Sequence, residues 1–452
     1  MAIKNFLLSI FIAFVGTHAT AQAPEFVSKT DSLLNYLHQN NRFCGSVMVS
    51  KGSNTLYQKD FKSSDDVKVK ESFRIGSVTK LFTAVIIYQL IEENKLSLQT
   101  KLSVFFPTIK NSKNITIKHL LGHQSGIRDI LSDDNFEKIR TKTTTRESLV
   151  KIISNYKSQF KPGKSTQYSN SNYIILGYII EIISKMPFKQ ALGERILMPL
   201  SLNATWLEGD EPFRIRNSGY TFNGSKWLES SIETHPRVSG AAGAMISSPE
   251  DLSVFIKALF SEKLIKKSSL DSMCRLSNKT YGYGIFYTPY SNHKGYGHTG
   301  HIDEFRSAIT YFSEDSTCVA LCFNGLNYSM NSIALGILAN YYKGDYKLPD
   351  LSRINLSAEE LKKFEGIYRL KLFRVLPLVK VKITSENGVL FTATLKNFET
   401  EKTIAEPVSV NKFVNFQYKS SLEFNYKRNG KLKGCYLVQG KNKLYCKRLK
   451  GL

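Results

Sequence analysis

The sequence predicts an α+β fold followed by a smaller all-β module, and two observations carry that expectation. Strand-like runs lie at both ends of residues 25–342, with helical periodicity between them. That is the pattern of one sheet assembled from the two ends of a segment. Beyond a short helix that starts at Ser357, only short alternating strands and turns remain.

Taken in order, residues 25–40 have the apolar spacing of an amphipathic helix. "CGSVMVSKGSNTLYQKDF" reads as two edge strands around a Lys51-Gly52-Ser53 turn. A long apolar helix begins near Thr79, and "TIKHLLGH" and "SNYIILGYIIEIISK" continue the helical middle. "EFRSAITYF" and "TCVALCF" return to strands, and "NSIALGILANYY" closes with a helix. "YKGDYKLPDLSRINL" reads as a linker, and Ser357 with Glu360 forms a capping box for a short helix after it. The expected division is a signal peptide over 1–23, a main domain over 24–345, a linker over 346–356 and a β-rich domain over 357–452.

The N-terminus carries Lys4, an apolar stretch from Phe6 to Val15 and the small-residue site Ala21-Gln22-Ala23. This pattern predicts a removed signal peptide, hence a periplasmic or extracellular protein. No segment predicts a stable transmembrane span. Six cysteines in 452 residues do not make a disulfide scaffold. Cys318 and Cys322 lie four apart on one strand, roughly 13 Å, too far to bridge. Cys435 and Cys446 flank a predicted two-residue Gly440-Lys441 hairpin turn, which sets them opposite each other. A disulfide and two free thiols both remain open there.

The net charge is +24, and residues 351–452 hold 21 Lys+Arg against 8 Asp+Glu, a net +13. These lysines alternate with apolar residues, as in "LVKVKITSENGVLFTATL", which is the pattern of a solvated sheet face. No base-stacking motif accompanies them, so nucleic acid is not expected as a partner. An anionic envelope or cell-wall surface suits the charge better.

Candidate chemistry begins at "FRIGSVTKLFTA". Ser77 and Lys80 share one face at the start of a helix, so the amine can reach the hydroxyl and activate it as a nucleophile. The spacing alone is weak, because S-x-x-K recurs at Ser148, Ser154, Ser158, Ser291 and Ser409. "KPGKSTQYSNSNY" adds Tyr168, a possible proton relay, and Asn170, an amide able to orient a carbonyl. The same triplet at Tyr290-Ser291-Asn292 shows that it also arises by chance. "GYGHTGHIDEF" puts His298, Thr299 and Gly300 at a strand start, where Gly300 would let a ligand approach the backbone. His293, His298, His301 and Asp303 could instead suggest a metal. His298 and His301 would point to opposite faces of a strand, and no metal is expected.

These three pieces, in this order, resemble the serine β-lactamase and penicillin-binding-protein superfamily, whose S-x-x-K, Y-x-N and K/H-T-G signatures appear as "SVTK", "YSN" and "HTG". "LLGHQSGI", "KPG", "AAGAMISSPEDLSVF" and "YGYGI" agree with it. The branch most similar holds class C β-lactamases, D-alanyl-D-alanine carboxypeptidases, esterases and D-aminopeptidases. The resemblance covers about residues 25–342. It implies an antiparallel sheet flanked by helices with an all-helical subdomain, and a small C-terminal antiparallel β-barrel-like domain that binds or packs.

It also implies a cofactor-free enzyme. Ser77 would be acylated, with Lys80 its base and Tyr168 the proton relay. Asn170 would steady Lys80 and the substrate amide, and Thr299 would meet a substrate carboxylate. The backbone N–H groups of Ser77 and His301 would form the oxyanion hole. His298 departs from the lysine common in β-lactamases, and a mostly neutral imidazole offers less charge to a carboxylate. His123 in "LLGHQSGI" matches a family histidine and is expected to hold backbone, with a part in catalysis as the alternative. Trp206, Tyr220, Phe222 and Trp227 either set specificity from one side of the cleft or pack a core.

The expected activity is an exported D-Ala-D-Ala carboxypeptidase or D-peptidase acting on cell-wall peptides. An esterase or weak β-lactamase using the same residues is the alternative. A third possibility is an inactive relative that binds cell-wall peptide without turnover.

Overall fold

The computed structural model describes residues 22–62, 72–142, 144–209, 216–230, 233–370, 379–395 and 402–449. The apolar N-terminal stretch read as a signal peptide lies outside the described residues. Among those described, no helix is long and apolar enough to cross a membrane.

One antiparallel six-stranded sheet runs in the order Asn54–Phe61, Phe43–Lys51, Thr317–Leu326, Phe305–Phe312, Gly295–Ile302, Phe286–Tyr287. It is built from both ends of the segment, as the strand pattern predicts. One expectation is corrected. Phe43–Lys51 is not an edge but an interior strand, pairing with Asn54–Phe61 on one side and Thr317–Leu326 on the other. Its Ser46 and Ser50 are both buried. Ser46 donates to Asp60, and the Ser50 hydroxyl lies 2.9 Å from that of Ser253 on the helix Pro249–Phe260.

Helices cover both faces. Leu33 and Leu37 of Gln22–Gln39 and Ile333 and Ile337 of Met330–Tyr341 pack with Phe43 and Val47 in one core. On the other face, the helix Thr79–Glu92 is buried on nearly all sides, so it lacks an amphipathic stripe. It packs with Asn170–Ser184 and Pro249–Phe260 in the larger core. The helical middle includes Ile117–Leu121, Arg146–Ser154 and Asn170–Ser184.

The C-terminal region closes into an eight-stranded barrel from Gly366–Leu370 to Asn442–Arg448, sealed where Tyr368 pairs with Arg448. The Ser357–Glu360 capping box forms and starts the helix Ala358–Lys362. Cys435 and Cys446 face each other in register, and all six cysteines are free thiols.

The barrel docks tightly. Arg42, at the foot of the central sheet, makes a bidentate ion pair with Glu406 of the barrel, and both are almost wholly buried. Asn327 donates to the same carboxylate. Phe222 and Trp227, on the hairpin Tyr220–Phe222/Trp227–Glu229, pack against Val389, Phe391 and Ile404.

Candidate active site

Two glycines decide where Ser77 sits. The short strand Phe73–Arg74 leads into a 3₁₀ turn, Gly76–Val78, which feeds the helix Thr79–Glu92. Gly76 has φ +48°, and a Cβ there would meet the His301 backbone nitrogen at 2.8 Å. A Cβ at Gly300 would lie 2.0 Å from the Ile75 carbonyl oxygen, to which Ser307 donates at 2.7 Å. Gly300 was expected to admit a ligand to the backbone. The chain that approaches it is the protein's own, and the absence of both side chains seats the Ser77 turn on the strand Gly295–Ile302.

Lys80, the second residue of the helix and one turn on from Ser77, is fully buried. Its Nζ lies 2.8 Å from Ser77 Oγ, 2.8 Å from Asn170 Oδ1 and 2.6 Å from the Ala242 carbonyl oxygen. Burial lowers its pKa to about 7, against the opposing pull of the Asp129 charge. The carbonyl and amide oxygens only accept, so a neutral amine gives them its two N–H groups. Its lone pair then faces the Ser77 hydroxyl.

Tyr168 precedes the helix Asn170–Ser184. Burial pushes its phenol up, partly offset by a hydrogen bond to Ser77, so it is a neutral donor and acceptor at pH 7. His298 is buried and stacked on Phe286 at 3.9 Å between ring centroids. Its Nδ1 lies 2.6 Å from the Thr299 carbonyl oxygen and so carries the proton. Burial, then the neighbouring Lys80, lowers its pKa to about 3, leaving it uncharged. Thr299 and His301 take the exposed positions of the same strand.

The profile of the Beta-lactamase family matches residues 30–339. The chain belongs to the β-lactamase family. It is 28% identical over 323 residues to a putative penicillin-binding protein, PbpX, of Bacillus subtilis, covering 70% of this chain and 78% of that one. It is 26% identical over 299 residues to the teichoic acid D-alanine hydrolase of Staphylococcus aureus, covering 63% and 71%. The solved penicillin-binding protein homologue of Pyrococcus abyssi, an octamer, superposes with a TM-score of 0.62 at 24% identity. That match covers 93% of this chain and 99% of the other, so the likeness of fold extends into the barrel.

Within this family fold, the structure brings Ser77, Lys80, Tyr168 and Asn170 together, with the strand of His298, Thr299, Gly300 and His301 alongside. His123 has φ +56° and is buried against Tyr168, with ring centroids 4.3 Å apart. Its Nδ1 accepts from the Ser169 N–H at 3.1 Å, so it holds the turn that carries Tyr168 and Asn170. Asp303, one of the possible metal ligands, is committed elsewhere. It ion-pairs with Arg74 and Arg140 and accepts from Thr234.

Asp129 went unnoticed in the sequence. Its carboxylate accepts from the Asn170 backbone N–H at 3.0 Å and from Nδ2 at 3.1 Å, which turns the amide oxygen toward Lys80. In "SGIRDILSDD" nothing separated it from Asp133 and Asp134. Of the four aromatics, Tyr220 and Phe222 line the cavity in front of Ser77. Trp227 packs on the barrel, and Trp206 pairs with Ile246 in a short sheet.

Proposed function

We propose that this protein is a serine hydrolase that cleaves an acyl bond next to a D-amino acid, in a peptide, amide or ester, through an acyl-enzyme on Ser77. The single observation that carries the reading is the buried Lys80 amine, partly uncharged at pH 7 and 2.8 Å from Ser77 Oγ. Lys80 takes the hydroxyl proton as Oγ bonds to the carbonyl carbon. The backbone N–H groups of Ser77 and His301 stabilise the oxyanion. Tyr168 passes the proton to the departing nitrogen or oxygen as that bond breaks. Water then attacks the ester along the same path, releasing the acid and restoring Ser77. Asn170 orients Lys80 and a substrate amide, and Thr299 meets a carboxylate.

Muropeptides ending in D-alanine remain the first substrates to try, with export resting on the N-terminal residues. A D-alanyl ester is the second reading. The uncharged His298 favours it, because the strand offers no cation there for a terminal carboxylate. Likeness to the D-alanine hydrolase acting on teichoic acid supports the same choice. The basic barrel, net +13 over residues 351–452, would hold the enzyme near an anionic envelope.

The test is steady-state turnover of a D-Ala-D-Ala peptide, a D-alanyl ester, a D-alanyl amide and nitrocefin. Hydrolysis of at least one D-alanyl compound, lost by about 10⁴-fold in Ser77→Ala, is expected. Turnover that survives Ser77→Ala, or none of any substrate, would overturn the reading.

A further inference from the structure

We infer that the lumen of the C-terminal barrel is part of the substrate site and takes an apolar chain or ring whose reactive carbonyl lies at Ser77. This rests on the acyl-enzyme reading above and adds to it the class of substrate.

One cavity of about 930 Å³ connects the two parts. At one end its wall includes Ser77, Asn170 and His301, and at the other Tyr368, Ile383, Ala405, Leu422, Leu437 and Cys446 from inside the barrel. That volume is at the top of the range for small-molecule sites. An eight-stranded barrel is just wide enough to be filled by its own side chains or to hold one small ligand. This one does each in a different half. Phe364, Phe413 and Phe424 interlock over Leu361 and close the far end with aromatic packing. In the half that opens toward Ser77, Thr392, Thr403 and Ala405 line the cavity with short side chains, and the two facing cysteines, of which Cys435 pairs with Phe424, border it where the aromatic packing begins.

Charge is divided along the same axis. Glu137, Arg140, Asp303, Glu304 and Arg306 line the end near Ser77. Among the described residues, the barrel's share of the wall mixes apolar side chains with uncharged polar ones, such as Thr392, Asn415, Gln417 and Gln439, and holds one lysine or arginine and no carboxylate. That residue is Lys402, which is exposed and lies over the Phe391 ring. A ligand matched to this gradient has a polar, reactive end and an uncharged, mainly apolar far end, such as an alkyl or aryl ester or amide. The buried Arg42–Glu406 pair and the Phe222–Trp227 hairpin hold the barrel mouth at the cleft, so the two halves meet as one preformed site.

The experiment is a chain-length series of p-nitrophenyl esters, acetate to octanoate, hydrolysed by the full chain, by Leu437→Trp and by Ser77→Ala as background. For the wild type, kcat/KM should rise by at least about tenfold along the series. Leu437→Trp, which fills the lumen, should flatten the series, cutting octanoate turnover far more than acetate turnover. A flat wild-type series, or an equal loss on all esters in a folded Leu437→Trp protein, would overturn the inference. Loss of Ser77-dependent acetate turnover in the wild type would instead count against the acyl-enzyme reading. A second measurement covers a variant that fails to fold. Dansyl-undecanoic acid should gain fluorescence with the Ser77→Ala full chain and be displaced by decanoate, and no gain would overturn the inference whatever the kinetics.

Discussion

Ser77 is activated by a lysine that the fold keeps partly uncharged. Lys80 must be neutral to accept the serine proton, and its pKa of about 7 puts the change within reach of experiment. As pH falls below about 7 the neutral fraction falls, so kcat/KM should drop by about tenfold per unit on the acid side. Asp129 opposes burial at Lys80, and Asp129→Asn removes that charge. The acid midpoint should therefore move down, by up to about one unit, and a pH–rate profile of the two proteins reads it directly. An unmoved midpoint would separate Asp129 from the titration of Lys80. The motif residues were legible because each carries chemistry at a fixed spacing. Asp129 was not, because its effect depends on burial and on the amide of Asn170, forty-one residues away in the chain. The neutrality of His298 was half legible. The residue type allowed it, while burial against Phe286 and the neighbouring Lys80 enforce it over the opposing hydrogen bond to the Thr299 carbonyl.

Among the elements, the helices were legible from apolar periodicity, and Thr79–Glu92 and Asn170–Ser184 follow the runs that announced them. The interior place of Phe43–Lys51 was hidden because its second partner, Thr317–Leu326, lies far along the chain. Also invisible was the reason for Gly300, since nothing local says that the Ile75 carbonyl approaches it. Gly300→Ala puts a methyl 2.0 Å from that oxygen, so the Ser77 turn must lift from the strand. A stability loss of about 1–3 kcal/mol is expected by urea unfolding, with a larger proportional loss in kcat than in KM. Unchanged kcat would show that the seating of the turn does not govern catalysis.

Over the whole molecule, the all-β tail was legible as alternating strands, but its docking was not. Arg42 and Glu406 are 364 residues apart, and neither stands in a motif. Arg42→Met leaves a buried carboxylate without its guanidinium, which should cost about 3–5 kcal/mol by denaturant unfolding. Arg42→Met combined with Glu406→Leu should recover most of that loss. If the single variant unfolds like the wild type, the pair does not fasten the barrel. The alternation of lysines along these strands leaves their inward residues to line a lumen, so charge outside and a largely uncharged lining inside come from one pattern.

The most direct measurement of Ser77 as the acylated nucleophile is intact-mass spectrometry after incubation with benzylpenicillin, beside Ser77→Ala. A penicilloyl adduct on the wild type, absent from Ser77→Ala, is the predicted result. No adduct and no loss of penicillin, together with an unlabelled Ser77 after a D-alanyl ester quench, would contradict it.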